Sequence, residues 1–447
     1  MSTEQTDKRY PRVLVVCADP MNTRTSHGFC MTNLFRGWPK ERLAQVYSDP
    51  KRLETEVCER YWKLSPTAGL RLGPKTTSRN PELSSGARGG NASPEAAQAS
   101  SGAQDRPVPV PLWARRSATA LADFVPYRLT PEFWQWMDEF RPESLYVATS
   151  SVRMMRVAVQ VSDRYRATIV PHFPDDWVTS LYRHTPLAPV ARPILMAWLR
   201  AVLRRSGDRF AIGPTMAREY EQRLGGRFLD IMNCVDPELM DSYVPDPPDS
   251  EAMSFCFIGN LEHGRAAMAR SVGEALLKLR SSGLVGRLVV HSSPRMLETY
   301  SADLDLPEVI LARPAPSNAE LPQVLRESHC FVHLDSFEPS ERRYFRLSMS
   351  SKLPLYLAAG RPILAYGPAE VATLRYVVEN GTGLVVGEPN PEALAEALRK
   401  LMVSPELRQQ MGRRARETAL ARHEAYSQRE RLREVLARAA AGTTPHV

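Results

Sequence analysis

Short apolar runs alternate with amphipathic stretches along most of this 447-residue chain. Arg12–Ala18 (RVLVVCA) is a β-branched run of the length expected for a buried strand. The polar loop DPMNTRTSHG follows, and a helix is predicted from Phe29 to Arg36. Thr130–Phe140 (TPEFWQWMDEF) places Thr at an N-cap, Pro at the first helical position and Glu beside it. Ser144–Thr149, Ala167–Pro171 and Arg209–Ile212 read as strands, with helices predicted over Met154–Tyr165 and Thr215–Leu224. A second series has strands at Phe255–Ile258, Gly286–His291, Pro307–Leu311, Cys330–Leu334, Pro362–Tyr366 and Gly383–Val386. Its helices are predicted over Ala266–Ser281, Asn390–Met402 and Glu406–Arg422. Strands that alternate with helices make parallel sheets. The fold class is therefore α/β, with two doubly wound, Rossmann-like domains facing a cleft.

Two breaks in composition divide the chain. Ser65–Pro111 is rich in Ser, Gly, Ala and Pro and has almost no large apolar residues, so it reads as a disordered insertion. Asp241–Glu251 (DSYVPDPPDSE) reads as a linker between a first domain at 1–240 and a second at 252–447. Two domains suit a prior of roughly 150 residues per domain, with the insertion added.

Charge widens the picture before motifs narrow it. The formal net charge is +8, which is compatible with nucleic acid, an anionic membrane or phosphorylated substrates, or simply with a solvated arginine-rich surface. No nucleic-acid recognition motif is present, so nucleic acid is not expected as a partner. The six cysteines make no CxxC pair, several sit in apolar runs, and no His cluster completes a zinc spacing. This usage, and an N-terminus without a secretory signal, point to a cytoplasmic setting. Pro193–Arg205 (PILMAWLRAVLRR) is too short and too charged to span a bilayer. It puts Leu195, Trp198, Leu199 and Val202 on one face, which leaves open peripheral contact with the inner face of the plasma membrane, or an ordinary domain helix.

Four stretches could carry chemistry. In Ser350–Gly367 (SSKLPLYLAAGRPILAYG), Ser351 is placed as an N-cap, Pro354 lies in the first turn and Gly360 stops the helix. A helix N-terminus beside Lys352 suits an anion such as a pyrophosphate, and a capped helix with an exposed lysine is the structural alternative. Pro171–Tyr182 (PHFPDDWVTSLY) has His172 at a strand end, then the adjacent carboxylates Asp175 and Asp176. If both were desolvated, one would resist ionisation; alternatively they are N-terminal acids of a helix. Gly259 ends a strand in FIGNLEHGRAAMAR, with Arg265 shortly after. Thr25–Gly28 (TSHG) reads as a loop in which Gly28 permits close backbone approach, or as a simple turn.

SSKLPLYLAAGRPILAYG resembles the donor-nucleotide segment of the group 1 family of retaining GT-B glycosyltransferases. More narrowly, it is similar to bacterial members that build exopolysaccharide and capsule, whose pattern runs Ser-Thr-Lys-x-Pro-Glu-Tyr-Leu-Ala-x-Gly-x-Pro. NGTGLVVGEPNPEALAEALRKL and the His-x-x-Asp-Asp-Trp of the first domain also fit. The resemblance implies sugar transfer from a nucleotide-sugar to a glycan or lipid-linked acceptor, in polysaccharide biosynthesis, with retention and no obligatory metal or other cofactor. It implies that Gly28, Gly259, Arg265, Ser350, Ser351 and Lys352 hold the donor. His172 would approach the donor sugar, and Asp175 or Asp176 the acceptor. Relatives carry acids at the positions of Leu355 and Leu347, the first typically binding ribose. Either Asp335 or Glu338 substitutes, or nucleotide binding is altered; the alternative function is a non-catalytic GT-B scaffold that partners an active enzyme.

Overall fold

The computed structural model describes residues 10–22, 26–49, 53–54, 56–64, 78–79, 111–241 and 252–442. The linker and nearly all of the predicted insertion therefore lie outside the described residues. The first sheet has eight strands: β1 Val13–Cys17, β2 Leu43–Tyr47, β3 Arg60–Lys63, β4 Ser78–Arg79, β5 Ser144–Ala148, β6 Thr168–Phe173, β7 Arg209–Ala211 and β8 Phe228–Asp230. Their order is β4-β3-β2-β1-β5-β6-β7-β8, parallel throughout except for β3–β4. The second sheet is wholly parallel and has six: β9 Met253–Ile258, β10 Gly286–Ser292, β11 Ile310–Pro314, β12 Cys330–Leu334, β13 Ile363–Tyr366 and β14 Gly383–Val386. Its order is β11-β10-β9-β12-β13-β14.

Both orders reverse once, between β1 and β5 and between β9 and β12. At such a point successive crossovers leave on opposite faces, which opens a crevice beyond the carboxyl ends of the strands. The expected pair of doubly wound α/β domains is therefore present. Four strands were not expected: β2, β3, β8 and β4, the last of which falls within the segment read as an insertion. The strand predicted at Pro307–Leu311 starts later, at Ile310, because a turn closes first through Val309 N–H donating to Leu306 O at 3.0 Å.

The helix expected from Pro193 runs from Ala188 to Leu203, and its apolar face is not available to a membrane. Leu195, Leu199 and Val202 are buried in the core of the first domain, and Trp198 stacks under the Arg156 guanidinium at 4.9 Å. Among the described residues no helix is long and apolar enough to cross a membrane.

The two domains share one apolar core, which runs from Leu14 and Leu145 through Ile212 and Met216 to Leu347, Met349 and Tyr356. Gly213 sits directly on Met349, since a Cβ there would lie 2.6 Å from the Met349 Cγ. The last helix, Ala425–Ala440, returns to the first sheet and buries Leu432, Val435 and Leu436 beside Val13 and Tyr146.

Within the second sheet, Gly383 has no room for a side chain, because its Cβ would lie 1.8 Å from the Ile363 carbonyl oxygen across the β13–β14 ladder. Gly383→Ala is expected to lose about 1–3 kcal/mol or more of stability, the range for overpacking a closed site. Urea denaturation should show a lower midpoint at an unchanged slope.

Candidate active site

The carboxyl ends of the two sheets face each other across a cleft of about 510 Å³. His172, the fifth residue of β6, forms part of its first-domain wall. A hydrogen bond joins its Nδ1 to the Tyr146 hydroxyl on β5. Burial pushes the imidazole down to about 3, with His27 adding to the effect, so the ring is neutral. Burial also holds the Tyr146 hydroxyl protonated. With Tyr146 donating to Nδ1, the ring proton is assigned to Nε2, which is buried without a hydrogen-bond partner. A buried donor left unpaired is costly, so Nε2 would gain from an acceptor.

Asp175 and Asp176 have separate fates. Asp175 opens onto the cleft and remains accessible, yet the surrounding walls push its carboxyl up to about 6. Desolvation is the main cause; the Asp176 charge adds to it and the Ser348 hydroxyl opposes it. Asp176 is wholly buried and caps the helix Trp177–Ser180, accepting from Thr179 N–H at 3.3 Å and from the Tyr220 hydroxyl at 2.7 Å. Only Asp175 faces the cleft. Gly28 lies within the helix Ser26–Phe35 rather than in the expected loop. From that helix His27, Cys30, Met31 and Leu34 reach the cleft.

The second-domain wall starts at Gly259, just after β9, whose N–H donates to His291 O at 3.0 Å. Arg265 opens the helix Arg265–Arg280 behind the left-handed Gly264 (φ 75°). Its Nε donates to Leu334 O and its Nη2 to Asp335 Oδ1, each at 3.0 Å, and the guanidinium stacks 4.6 Å from the Phe345 ring centre. Asp335 also pairs with His333 Nε2 at 2.8 Å. Burial alone would raise its carboxyl, but His333 and Arg265 hold it below the usual range. Both Asp335 oxygens are thus engaged, and Glu338 is exposed outside the cleft lining.

Ser350, Ser351 and Lys352 all line the cleft. Ser350 N–H donates to the Thr373 hydroxyl at 3.0 Å, and Ser351 O accepts from Asn233 Nδ2 of the first domain at 3.1 Å. Ser351 is not the N-cap. The helix is Leu353–Ala358, Lys352 holds the cap position, and no side chain caps it. Ser350 instead closes the turn before the helix, its Oγ accepting from Lys352 N–H at 3.3 Å and its carbonyl from Leu353 N–H at 3.1 Å. Gly360 ends the helix in the left-handed region at φ 63°, as expected. With only six residues the helix has little macrodipole, so the anion-attracting group is the Lys352 ammonium itself. Desolvation pulls Lys352 below the usual amine range, against the pull of Cys30, and among the described residues no carboxylate pairs with it. Tyr356 hooks this helix to the end of β9, accepting from Ile258 N–H at 2.9 Å and donating to Ile258 O at 3.2 Å. Leu347 is fully buried and Leu355 half-buried, both against the shared core.

The matched segment of sequence lies on this second wall. Residues 290–418 match the family described as glycosyl transferases group 1. No curated protein matches the chain in sequence. Among solved structures, Anabaena Alr3699/HepE in complex with UDP aligns over 95% of this chain and 99% of its own, with a TM-score of 0.63 at 10% identity. Sucrose-phosphate synthase from Thermosynechococcus elongatus covers 96% and 100%, with a TM-score of 0.61 at 12% identity. The α,α-trehalose-phosphate synthase (UDP-forming) of Burkholderia xenovorans covers 95% and 99%, with a TM-score of 0.56 at 11% identity. At these identities the likeness is one of fold, and that fold is GT-B.

Of the residues singled out in the sequence, His172, Asp175, Gly259, Arg265, Ser350, Ser351 and Lys352 meet in one cleft; Asp176 and Gly28 do not line it. Tyr146, Tyr356 and Asn233 were missed, since each sits in an ordinary apolar or loop context and acts through partners distant in sequence. Asp175 yields a pH test. Its folded pKa is raised, so its favourable contribution is complete below the unfolded value near 4 and is lost as pH rises through about 6. Asp175→Asn should therefore match wild-type stability at low pH and exceed it increasingly between pH 4 and 6, as followed by thermal denaturation.

Proposed function

We propose that this chain transfers a sugar from a nucleotide-sugar donor to a glycan or lipid-linked acceptor in polysaccharide biosynthesis, with retention and without an obligatory metal. The observation that carries this reading is the pair Lys352 and Arg265, two cations on one wall of the cleft, opposite neutral His172 and Asp175 on the other. Loss of a nucleoside diphosphate leaves charge on the departing phosphates. Fixed cations in a partly dehydrated cleft stabilise that charge as it develops. Arg265 is held by Leu334, Asp335 and Phe345, so it costs little reorganisation; Lys352 gains a counter-ion it otherwise lacks. The unpaired His172 Nε2 supplies a donor for a sugar hydroxyl. Asp175, ionised above about pH 6, accepts from the acceptor hydroxyl. The family match over residues 290–418 and the UDP and UDP-glucose complexes of the Anabaena structure support a nucleotide-sugar donor.

A second reading, a non-catalytic scaffold, draws on Leu355 and Leu347, apolar residues packed against the core where relatives carry acids. Calorimetry with nucleoside diphosphates and their sugars separates the two. Wild type is expected to bind at least one, and Lys352→Ala to bind it about 10–100-fold more weakly, the range for removing a charged hydrogen bond. Unchanged affinity and turnover in Lys352→Ala would remove the donor assignment. No binding of any nucleotide by the wild type would favour the scaffold.

A further inference from the structure

Four of the largest exposed apolar side chains gather at one end of the first domain. Trp113 is 59% exposed, Leu121 56% and Val125 53%, all on or just after the helix Leu112–Phe124; Val190, 63% exposed, begins the helix Ala188–Leu203. The Ser117 and Thr185 hydroxyls, 3.3 Å apart, and the Phe124 and Tyr182 rings, 5.5 Å apart, join the two segments into one surface. The outward side of Leu112–Phe124 presents Arg116, Ala118, Thr119, Leu121 and Ala122.

Within the described residues 111–131 and 177–206, the exposed side-chain charge has one sign. Asp123 is the only carboxylate in residues 111–131, and it is spent internally, accepting from Val152 N–H at 2.7 Å and from the Ser151 and Tyr182 hydroxyls, beside Arg153. Residues 177–206 contain five arginines and no carboxylate. Arg116, Arg128 and Arg183 are exposed here. A protein partner would ordinarily meet a surface of mixed charge, whereas apolar side chains with an aromatic among them, beside the exposed Arg116, Arg128 and Arg183, match an anionic lipid surface. Position agrees. Asp123 holds the first turn of the helix that follows β5, so the surface lies at the carboxyl end of the first sheet, where β6 delivers His172 and Asp175 to the cleft.

We propose that this face, built on Leu112–Phe124 and the start of Ala188–Leu203, docks the protein reversibly on an anionic membrane with the cleft beside the lipid. It is a different surface from the buried Leu195–Leu199–Val202 side of the second helix, and it does not require the sugar-transfer reading. The test is co-flotation of the full chain with vesicles of phosphatidylglycerol and phosphatidylcholine, against phosphatidylcholine alone. Wild type should bind the anionic vesicles, less so as salt rises. Arg116→Ala with Arg128→Ala should weaken partition about twentyfold, at about fivefold per arginine. Leu121→Asp with Val125→Asp should weaken it about tenfold or more, through lost apolar insertion. All four positions are exposed, so thermal midpoints and nucleotide affinity should not move. That last readout keeps a failure of the membrane inference separate from a failure of the donor assignment. Absence of wild-type binding, or equal binding by both double variants, would overturn the proposal. A concentration-dependent dimer abolished by Leu121→Asp with Val125→Asp would overturn it too, giving the face to a second copy of the chain.

Discussion

The cleft exists because the chain crosses back. Val235 of the first domain donates its N–H to His423 O at 2.8 Å and accepts from Ala425 N–H at 3.1 Å, a single parallel bridge where the tail leaves the second domain. On one side of that bridge, the helix Pro405–Arg422 packs so tightly on the second domain that a Cβ at Gly412 would lie 2.4 Å from Gly360 O. On the other side, Ala425–Ala440 belongs to the first sheet. Arg429 binds Asp236 at 2.5 Å, Arg36 binds the same carboxylate, and Arg438 reaches Asp208 at 2.9 Å. His423 is buried at the crossing with its Nε2 3.0 Å from the Tyr376 hydroxyl, and burial pushes it down to about 4, so this imidazole is neutral near neutral pH. Every distance across the cleft is referred to this joint and to the apolar seam at Gly213 and Met349.

Within the cleft the two walls differ in electrostatic kind. The first wall offers the neutral His172 imidazole, the accessible Asp175 carboxylate with raised affinity for protons, and the His27–Asp19 pair. The second offers two cations that are not equivalent. Arg265 is already satisfied by a carbonyl, a carboxylate and a ring, and a planar fork held in that way is an immobile source of charge. Lys352 is a compact charge in a partly dehydrated site, with no carboxylate partner among the described residues. A ligand anion relieves the second far more than the first. Arg265 thus suits orientation, and Lys352 suits affinity.

What could be read in the sequence was what is decided locally. The limits of β12 and β14 follow from their apolar runs alone, and Thr130 caps its helix because cap and donor are three residues apart, with Phe133 N–H reaching the hydroxyl. β2 was illegible because LAQVY contains a fully buried glutamine. Gln45 is satisfied only by the loop after β1, accepting from Met21 N–H and donating to Asp19 O, each at 2.9 Å. The same limit explains the site. Pattern placed Asp175 and Asp176 together, but which of them faces the cleft depends on Tyr220, far along the chain. Ser351 had the composition of a cap, and a first-domain asparagine claimed its carbonyl instead.

Leu347 and Leu355, where the family resemblance implies acids, instead help to join the domains. Leu347 is fully buried and belongs, with Met349, to the apolar cluster that continues into Ile212 and Met216 of the first domain. A carboxylate at such a position would have to be paired or remain protonated, since an isolated buried charge is prohibitive. Leucine removes that demand and extends the seam. Asp335 is not free to bind a further group while Arg265 and His333 occupy both its oxygens, because releasing either would strand a buried charge. On the reading proposed above, recognition in this cleft therefore concentrates on the diphosphate end of the donor, where Lys352 stands, and selectivity for the rest of the nucleotide has to arise from shape rather than from a charged hydrogen bond.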